Sequence, residues 1–394
     1  MIMASAPSTP KAGWEVKTLG EVCRIKPPKA EAKQKLRQEE MVSFVPMNDL
    51  KEVQKHFSVE QEKQLGKAYG GYTYFAENDV LLAKITPCFE NGKLGIARGL
   101  TNGIGFGSSE FVVFRSSDNI TPEYLFYFLS RDTFRTEGKE VMTGAVGHKR
   151  VPKEFIENYR VPIPPLPEQE RIVGILDEAF EGIAAATAQA GKNLHNAREL
   201  FQSVLQSTFS QKGDDWEETT LGEVCENLDS KRIPITKNKR VAGEVPYYGA
   251  SGIVDHVAEY IFDEALLLVS EDGANLLART YPIAFSISGK TWVNNHAHVL
   301  KFENLAAQHF MEFYLNSIKL DPYVSGMAQP KLNQKSLNSI PVPSPPLPTQ
   351  QAIVEKLDAL SEETKALEAI YERKQSALAE LKQSLLQKAF AGEL

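Results

Sequence analysis

At 394 residues, 42% hydrophobic and 24% charged, the chain has the composition of an ordinary folded protein of two to three domains. Apolar runs such as Ala265–Val269 fall far short of the ~20 residues a membrane-spanning helix needs, Met1–Lys11 lacks the apolar core of a signal peptide, and Cys23, Cys88 and Cys225 include no CxxC pair, which argues against a disulfide framework or zinc knuckle; the cytoplasm is the expected compartment. The net charge of −7 speaks against nucleic acid, yet charge acts locally, and residues 14–160 carry 22 Lys+Arg against 20 Asp+Glu, so any DNA bound would draw much of its phosphate contact from partners.

In chain order, a tail (1–13) precedes Trp14-Glu15-Val16-Lys17-Thr18-Leu19-Gly20-Glu21-Val22-Cys23, which returns as Trp216-Glu217-Glu218-Thr219-Thr220-Leu221-Gly222-Glu223-Val224-Cys225, shifted by 202 residues (216 minus 14). Cys23 and Cys225 fall at equivalent apolar positions, which fits buried structural thiols. Short apolar runs at Tyr72–Phe75, Val80–Ile85 and Phe111–Phe114, separated by Gly, Asn and Asp turn signals, predict strands. A helix is predicted over Pro122–Phe134, with Thr121 as cap and Pro122 in the first turn.

The Pro-rich exit Val161–Pro167 forms an extended elbow and opens a long amphipathic helix that ends near Phe209. In the second half, strands are predicted around Leu266–Val269, Ile283–Ser286 and His298–Phe302, and a helix over Leu305–Ile318. Pro345-Pro346-Leu347-Pro348 repeats Pro164-Pro165-Leu166-Pro167 with a shift of 181 (345 minus 164) and opens a second long helix ending near Phe390.

Ile172, Leu176 and Ile183 in one helix and Ile353, Leu357, Leu360, Leu367 and Leu378 in the other form apolar stripes suited to an antiparallel coiled coil. The expected fold is therefore mixed α+β with a pseudo-two-fold internal repeat. It comprises a tail (1–13), a first globular domain (14–160), a first spacer helix (161–213), a second globular domain (214–339) and a second spacer helix (340–394).

Catalytic motifs are missing. Ser288-Gly289-Lys290-Thr291 resembles the end of a phosphate-binding loop, but Ala284 stands where its first glycine belongs. Asp132, Glu137 and Lys139 fit a solvated helix surface better than a nuclease site. His296-Ala297-His298 is the one histidine pair with ligand spacing, since strand alternation would put both on one face; no metal site is expected. What remains are polar, Gly-rich loops with basic residues, at equivalent places in the two halves: Lys84–Lys93 and Thr143–Arg150 in the first, Val269–Ala274 and Ser325–Asn333 in the second. Glycines let backbone amides approach phosphates, while Lys, Arg, Asn, Gln and Ser donate to phosphates and base edges. Tyr247–Gly252 with Lys231, Arg232, Lys237, Lys239 and Arg240 form another candidate surface.

The chain resembles the specificity subunits of type I restriction-modification systems. The resemblance lies in the repeated Trp-x-x-x-x-Leu-Gly-Glu-Val, Ala83–Lys93, Gly107-Ser108-Ser109-Glu110-Phe111, His148-Lys149-Arg150-Val151-Pro152 and Pro164–Val173. It covers nearly the whole chain. It implies two target-recognition domains, each reading half of a split DNA site, and helices that fix the gap and dock two methyltransferase subunits, with endonuclease/translocase subunits joining for restriction.

The chain itself would then be non-catalytic, with S-adenosylmethionine, ATP and Mg bound by partners and none by this chain. The candidate DNA contacts are Lys84, Thr86, Asn91, Lys93, Ser108, Ser109, His148, Lys149 and Arg150 in the first half. In the second they are Lys231, Arg232, Lys239, Arg240, Tyr247, Tyr248, Ser251, Lys290, Gln329 and Lys331. The second recognition segment is 21 residues shorter (202 minus 181), and Glu168-Gln169-Glu170-Arg171 becomes Thr349-Gln350-Gln351-Ala352, so the half-sites should differ. A stand-alone nuclease or methyltransferase, a methylation-only system and a pure assembly scaffold are the alternatives.

Overall fold

The computed structural model describes residues 11–211, 213, 215–326 and 329–394; residues 1–10 of the expected tail, and Met327 and Ala328 of the Ser325–Asn333 loop, lie outside the described residues. The chain divides into two compact units: one runs to Gln189 and includes Lys374–Leu394, the other spans Ala190–Arg373. Each compact unit thus takes a share of both long helices.

In the first unit, Glu15–Thr18 pairs antiparallel with Arg160–Ile163. One four-stranded sheet follows the order Cys23–Ile25, Phe111–Ser116, Val80–Ala83, Leu94–Ile96; the other follows Gln61–Gln64, Met41–Val45, Ile104–Gly107, Thr73–Ala76. The run Val80-Leu81-Leu82-Ala83 is apolar throughout because it is buried on both faces. Strand alternation sends Leu81 and Ala83 into a cluster with Val45 and Phe75, and Val80 and Leu82 into a cluster with the helix at Pro122–Leu129. Beside the two central strands of that sheet, Arg115 bonds Asp79 through two nitrogens at 2.8 and 2.7 Å and also reaches Glu31, pairing the 1%-exposed Asp79 carboxylate.

The predicted helix over Pro122–Phe134 is two helices, Pro122–Leu129 and Asp132–Glu140. Thr121 caps the first by accepting from the Tyr124 amide. Tyr124 through Leu129 are all buried, so that helix is surrounded by protein. The polar run that follows cannot continue inside the core, and Arg131 adopts an extended backbone where the two helices part.

The second unit repeats this topology strand for strand. Glu217–Thr220 pairs with Pro341–Ser344, and the two sheets run Glu226–Asn227, Ala297–Lys301, Leu266–Ser270, Ala284–Ile287 and Gly252–Val257, Ala242–Gly249, Lys290–Val293, Phe262–Asp263. Leu266 and Leu268 face one cluster, Leu267 and Val269 the cluster containing the helix Leu305–Ser317. Ser288 and Gly289 form a turn between two strands, so no phosphate-loop helix follows Lys290.

The halves differ most at one hairpin: Met41–Val45 and Gln61–Gln64 are joined by Pro46–Glu60, whereas Ala242–Gly249 and Gly252–Val257 are joined by Ala250 and Ser251 alone. The longer connection lies against the Leu94–Ile96 strand, and its Lys55 ammonium bonds Asp177 of the first long helix at 2.6 Å. Burial pushes the thiols of Cys23 and Cys225 up to about 12, which suits structural rather than reactive roles.

The long helices span Leu166–Ser210 and Leu347–Ala391. Each start is pinned by a glutamine: Gln169 Nε2 donates to the Pro164 carbonyl at 2.9 Å, and Gln350, 181 residues later (350 minus 169), does the same to Pro345 at 2.8 Å. In the first unit Ile172 and Leu176 pack in one core with Leu386, Ala389 and Phe390. In the second unit Leu205 and Phe209 pack with Val354 and Leu357. Start meets end in both cases, as an antiparallel pair requires.

Leu176, Ile183, Ala190 and Ala197 are buried at seven-residue intervals, the period of a coiled-coil seam. In the second helix Val354, Leu357 and Thr364 are buried and Ile353, Leu360 and Leu378 partly so. Leu367 is a correction: it is 41% exposed, because the seam runs through neighbouring Glu368, one residue and about 100° around the helix. Glu368 and Glu372 pair instead with Arg198 of the first helix at 3.0 and 3.5 Å.

Candidate nucleic-acid interface

Backbone hydrogen bonds bring together the loop pairs nominated in each half and align them residue by residue. In the first half the Val151 amide donates to Lys84 O (2.9 Å), Thr86 N to Lys149 O (2.9 Å) and Lys84 N to Glu110 O (3.0 Å). In the second, Leu332 N donates to Glu271 O (2.8 Å), Gly273 N to Pro330 O (3.0 Å) and Glu271 N to His296 O (2.9 Å). Arg150 bridges to Thr143, and Lys331 to Ser325, closing a hairpin in each case. Lys84 is thus equivalent to Glu271, Glu110 to His296 and Arg150 to Lys331. Gly144 and Gly326 hold positive φ (127° and 85°); a Cβ at Gly326 would meet the Gln329 carbonyl at 2.5 Å, so the second hairpin needs glycine there.

The first hairpin presents exposed His148, Lys149 and Arg150. Arg150 donates through Nε and Nη2 to both oxygens of Glu110, at 2.9 and 2.7 Å. The Arg150 hydrogen bonds and the Lys84 charge hold the Glu110 carboxyl below its ordinary value against a smaller effect of burial. Lys84 Nζ donates to the carbonyl of exposed Ser109 at 3.1 Å, and Ser108 Oγ accepts from the Glu110 amide.

Beside them lies a cavity of about 710 Å³, whose lining includes Lys26, Lys29, Lys84 and Lys153 and Tyr69, Tyr72 and Tyr74. Lys29 Nζ lies 4.8 Å from the centre of the Tyr69 ring and Lys33 Nζ 3.9 Å from it. Four lysines with aromatic side chains among them suit a phosphate backbone with stackable bases. Sequence reasoning nominated only Lys84 of these; Lys26-Pro27-Pro28-Lys29 and Gly70-Gly71-Tyr72 carried the signal, as turn residues flanked by cations and an aromatic.

Other nominated side chains of the first half serve the fold. Thr86 Oγ1 donates to Glu90 at 3.0 Å, and Lys93 Nζ caps the Met47 carbonyl at 2.9 Å, so both are spent internally. Asn91 is exposed and bonds Glu52 at 3.0 Å.

In the second half Lys231, Lys239, Ser251, Lys290, Gln329 and Lys331 are exposed. Ser251 Oγ bonds the Tyr281 hydroxyl at 3.0 Å, and Lys290 lies 4.8 Å from the Tyr260 ring. Tyr248 is half-buried, tilted against Phe285. Tyr247 is a correction: it is 1% exposed, with its hydroxyl accepting from the Ile235 amide, because Val257, Trp292 and Ile235 pack against its ring on the face of the sheet. Arg240 packs over that ring at 4.3 Å and pairs with Asp255, so it braces the hairpin.

Arg232 is likewise internal. Its guanidinium bonds Glu271 Oε2 at 2.6 Å and the Ala297 carbonyl at 2.8 Å. His296 and His298 do not share a site: His296 is exposed beside Asp272, whereas the buried His298 bonds Asp229 Oδ2 through Nδ1 at 2.6 Å and Leu332 O through Nε2 at 2.8 Å. Each ring nitrogen of His298 thus lies against an oxygen, a carboxylate on one side and a backbone carbonyl on the other.

Burial pushes the Asp229 and Glu271 carboxyls up, but hydrogen bonds from His298 and Arg232 and their charges hold both below their ordinary values. Asp229, Glu271 and His298 lie close enough to hold a cation. Arg232 and Lys331 already occupy the carboxylates, Lys331 Nζ at 3.1 Å from Glu271 Oε1, and both histidine nitrogens are engaged. The cluster is a closed ion network that anchors the second hairpin.

Comparison with known proteins follows the same outline. A family model described as the type I restriction modification DNA specificity domain matches residues 11–191 and 213–375. The EcoAI type I restriction enzyme specificity subunit of Escherichia coli is 42% identical over 223 residues, 55% of this chain and 36% of that protein. The EcoEI specificity subunit of Escherichia coli is 37% identical over 205 residues, 52% of this chain and 34% of that protein. The chain thus spans about a third of the length of these relatives.

Among solved structures, a chain from a study of complex assembly and conformational transition of the type I R-M system superposes with a TM-score of 0.79 at 20% identity, covering 98% of this chain and 100% of that one. The HsdS subunit from Thermoanaerobacter tengcongensis gives 0.66 at 20% identity, covering 100% of both chains. These two likenesses establish the fold.

Proposed function

Because the chain belongs to the type I restriction-modification DNA specificity family, we propose that it is the DNA-reading subunit of such a complex, each globular domain reading one half of an asymmetric bipartite site. The observation that carries this is the pair of equivalent hairpins, each presenting an exposed cation and, in the first half, bordering a groove with four lysines and three tyrosines. Phosphates would settle on the lysines and the hairpin cations, while hairpin side chains reach base edges. The different hairpin connections of the two halves, Pro46–Glu60 against Ala250-Ser251, support unlike half-sites.

The paired helices act as the spacer that sets the gap and docks two methyltransferase subunits, with endonuclease/translocase subunits joining for restriction. S-adenosylmethionine, ATP and Mg chemistry belongs to those partners, and the chain acts in the cytoplasm as a non-catalytic subunit. No helix of the described residues is long and apolar enough to cross a membrane. The test is methylation mapping of the reconstituted complex before and after residues 14–160 are exchanged for those of a relative. One half of the methylated motif should change and the other persist. A motif that does not change refutes the reading role and favours a scaffold; methylation or cleavage by the isolated chain refutes the subunit role.

A further inference from the structure

The aligned positions of the two hairpins carry different charges. The strand-end, turn and hairpin positions are Lys84, Glu110 and Arg150 in the first half, and Glu271, His296 and Lys331 in the second. The acid has moved from the turn to the strand end, yet in both halves it bonds the hairpin cation, bidentate from Arg150 to Glu110 and at 3.1 Å from Lys331 to Glu271. The cations remain well exposed, at 47% and 54% of their side-chain surface.

Ion pairs this exposed contribute little to stability, so fold stability does not account for Glu110 standing between Ser109 and Phe111, two lining residues of the groove that also holds Lys26, Lys29, Lys84 and Lys153. A carboxylate there repels phosphate. Its consequence falls on DNA binding instead.

We infer that in the first half a single carboxylate, Glu110, holds the hairpin cation in reserve, so that Arg150 reaches DNA only by exchanging that carboxylate for a phosphate. This inference rests on the DNA-reading role proposed above. A cation already paired within the protein gains less from a phosphate than a free one. Taking up phosphate frees one counterion from the DNA, but the abandoned carboxylate recruits another, so the exchange is nearly neutral in salt. Sequence-blind association is thereby weakened at this hairpin, while a matched half-site, whose base contacts hold the hairpin in place, still drives the exchange. The acid acts as a positioning and specificity-determining group.

The test uses the full chain and a duplex of unrelated sequence, with binding followed by fluorescence anisotropy from roughly 50 to 200 mM salt. Glu110→Gln should tighten binding about threefold to tenfold at the low-salt end and steepen the plot of log K against log salt by about 0.9, one phosphate contact. Arg150→Gln should abolish that gain, so that the double variant binds as Arg150→Gln does. An unchanged or weaker affinity in Glu110→Gln, an unchanged salt slope, or a gain that survives in the double variant would overturn the inference while leaving DNA reading intact. A wild-type chain that is folded by circular dichroism yet binds no duplex would overturn both.

Discussion

Substituting leucine for His298 isolates the worth of the buried network beneath the second hairpin. The ring is 1% exposed, its Nδ1 lies 2.6 Å from a carboxylate that is itself 5% exposed, and its Nε2 lies 2.8 Å from the Leu332 carbonyl. Leucine fills similar space but leaves that carbonyl without its donor and the Asp229 carboxylate without its closest countercharge. A hydrogen bond to a charged group contributes about 1.5–3 kcal/mol, and breaking a buried pair by removing one partner costs about 3–5 kcal/mol.

The two figures overlap rather than add. Asp229 also keeps the Val299 amide at 2.9 Å and Arg232 at 3.4 Å, so the expected loss is about 4 kcal/mol. For a unit the size of Ala190–Arg373 that is a fall in Tm of about 10 °C, read by differential scanning calorimetry of the full chain. Amide hydrogen exchange should quicken at Lys331 and Leu332, where the hairpin is anchored. Asp229→Asn added to His298→Leu removes the stranded charge and should recover about 1–2 kcal/mol. A Tm within about 2 °C of wild type, or a double variant that loses the full cost of both changes, would refute this account of the network.

Two further outcomes follow from named features. Asp229 and Glu271 titrate below their ordinary values in the fold, so their stabilisation is complete above the unfolded values near 4 and is lost as pH falls through the lower folded values; Tm should drop between roughly pH 5 and pH 3 in the wild type and drop less in Glu271→Gln, and equal slopes would contradict the assignment. Removing seven residues, two turns, from each long helix shortens each by ~10 Å, about three base pairs of B-DNA at ~3.4 Å each; methylation mapping should show a shorter gap between unchanged half-sites, and an unchanged gap would refute the spacer role.

Much of the architecture was legible because it is written in local signals. The helix ends expected near Phe209 and Phe390 fall at Ser210 and Ala391, since an apolar stripe without internal proline leaves little else for those segments to form. The loop pairs were legible because duplication put the same turn chemistry in both halves.

The helix break at Ser130-Arg131 was hidden, because Tyr124–Leu129 is apolar all round and shows no periodicity to end. Arg232 and Tyr247 looked like surface residues beside Lys231 and Tyr248, but their partners, Glu271 and the Ile235 backbone, come from elsewhere in the chain. Leu367 fitted an apolar stripe by type, and only the seven-residue register of its neighbours takes it off the seam. Lys26, Lys29 and Lys153 were missed because a groove assembled from five separate segments has no single motif.

The sharing of both helices between the units makes residues 190–373 an insertion within the first unit. The core around Tyr124 and Phe128 is completed by Leu386, Ala389 and Phe390, whose ring stands edge-on to both aromatics at 5.0 and 5.2 Å. During synthesis, then, the part made first is finished last: at ~5–20 residues per second the first domain waits on the order of 10–40 s, with part of its aromatic core uncovered, while the inserted unit is made and can fold. Loss of the last two turns of the second helix would therefore damage the amino-terminal half of the protein and leave the inserted unit closed.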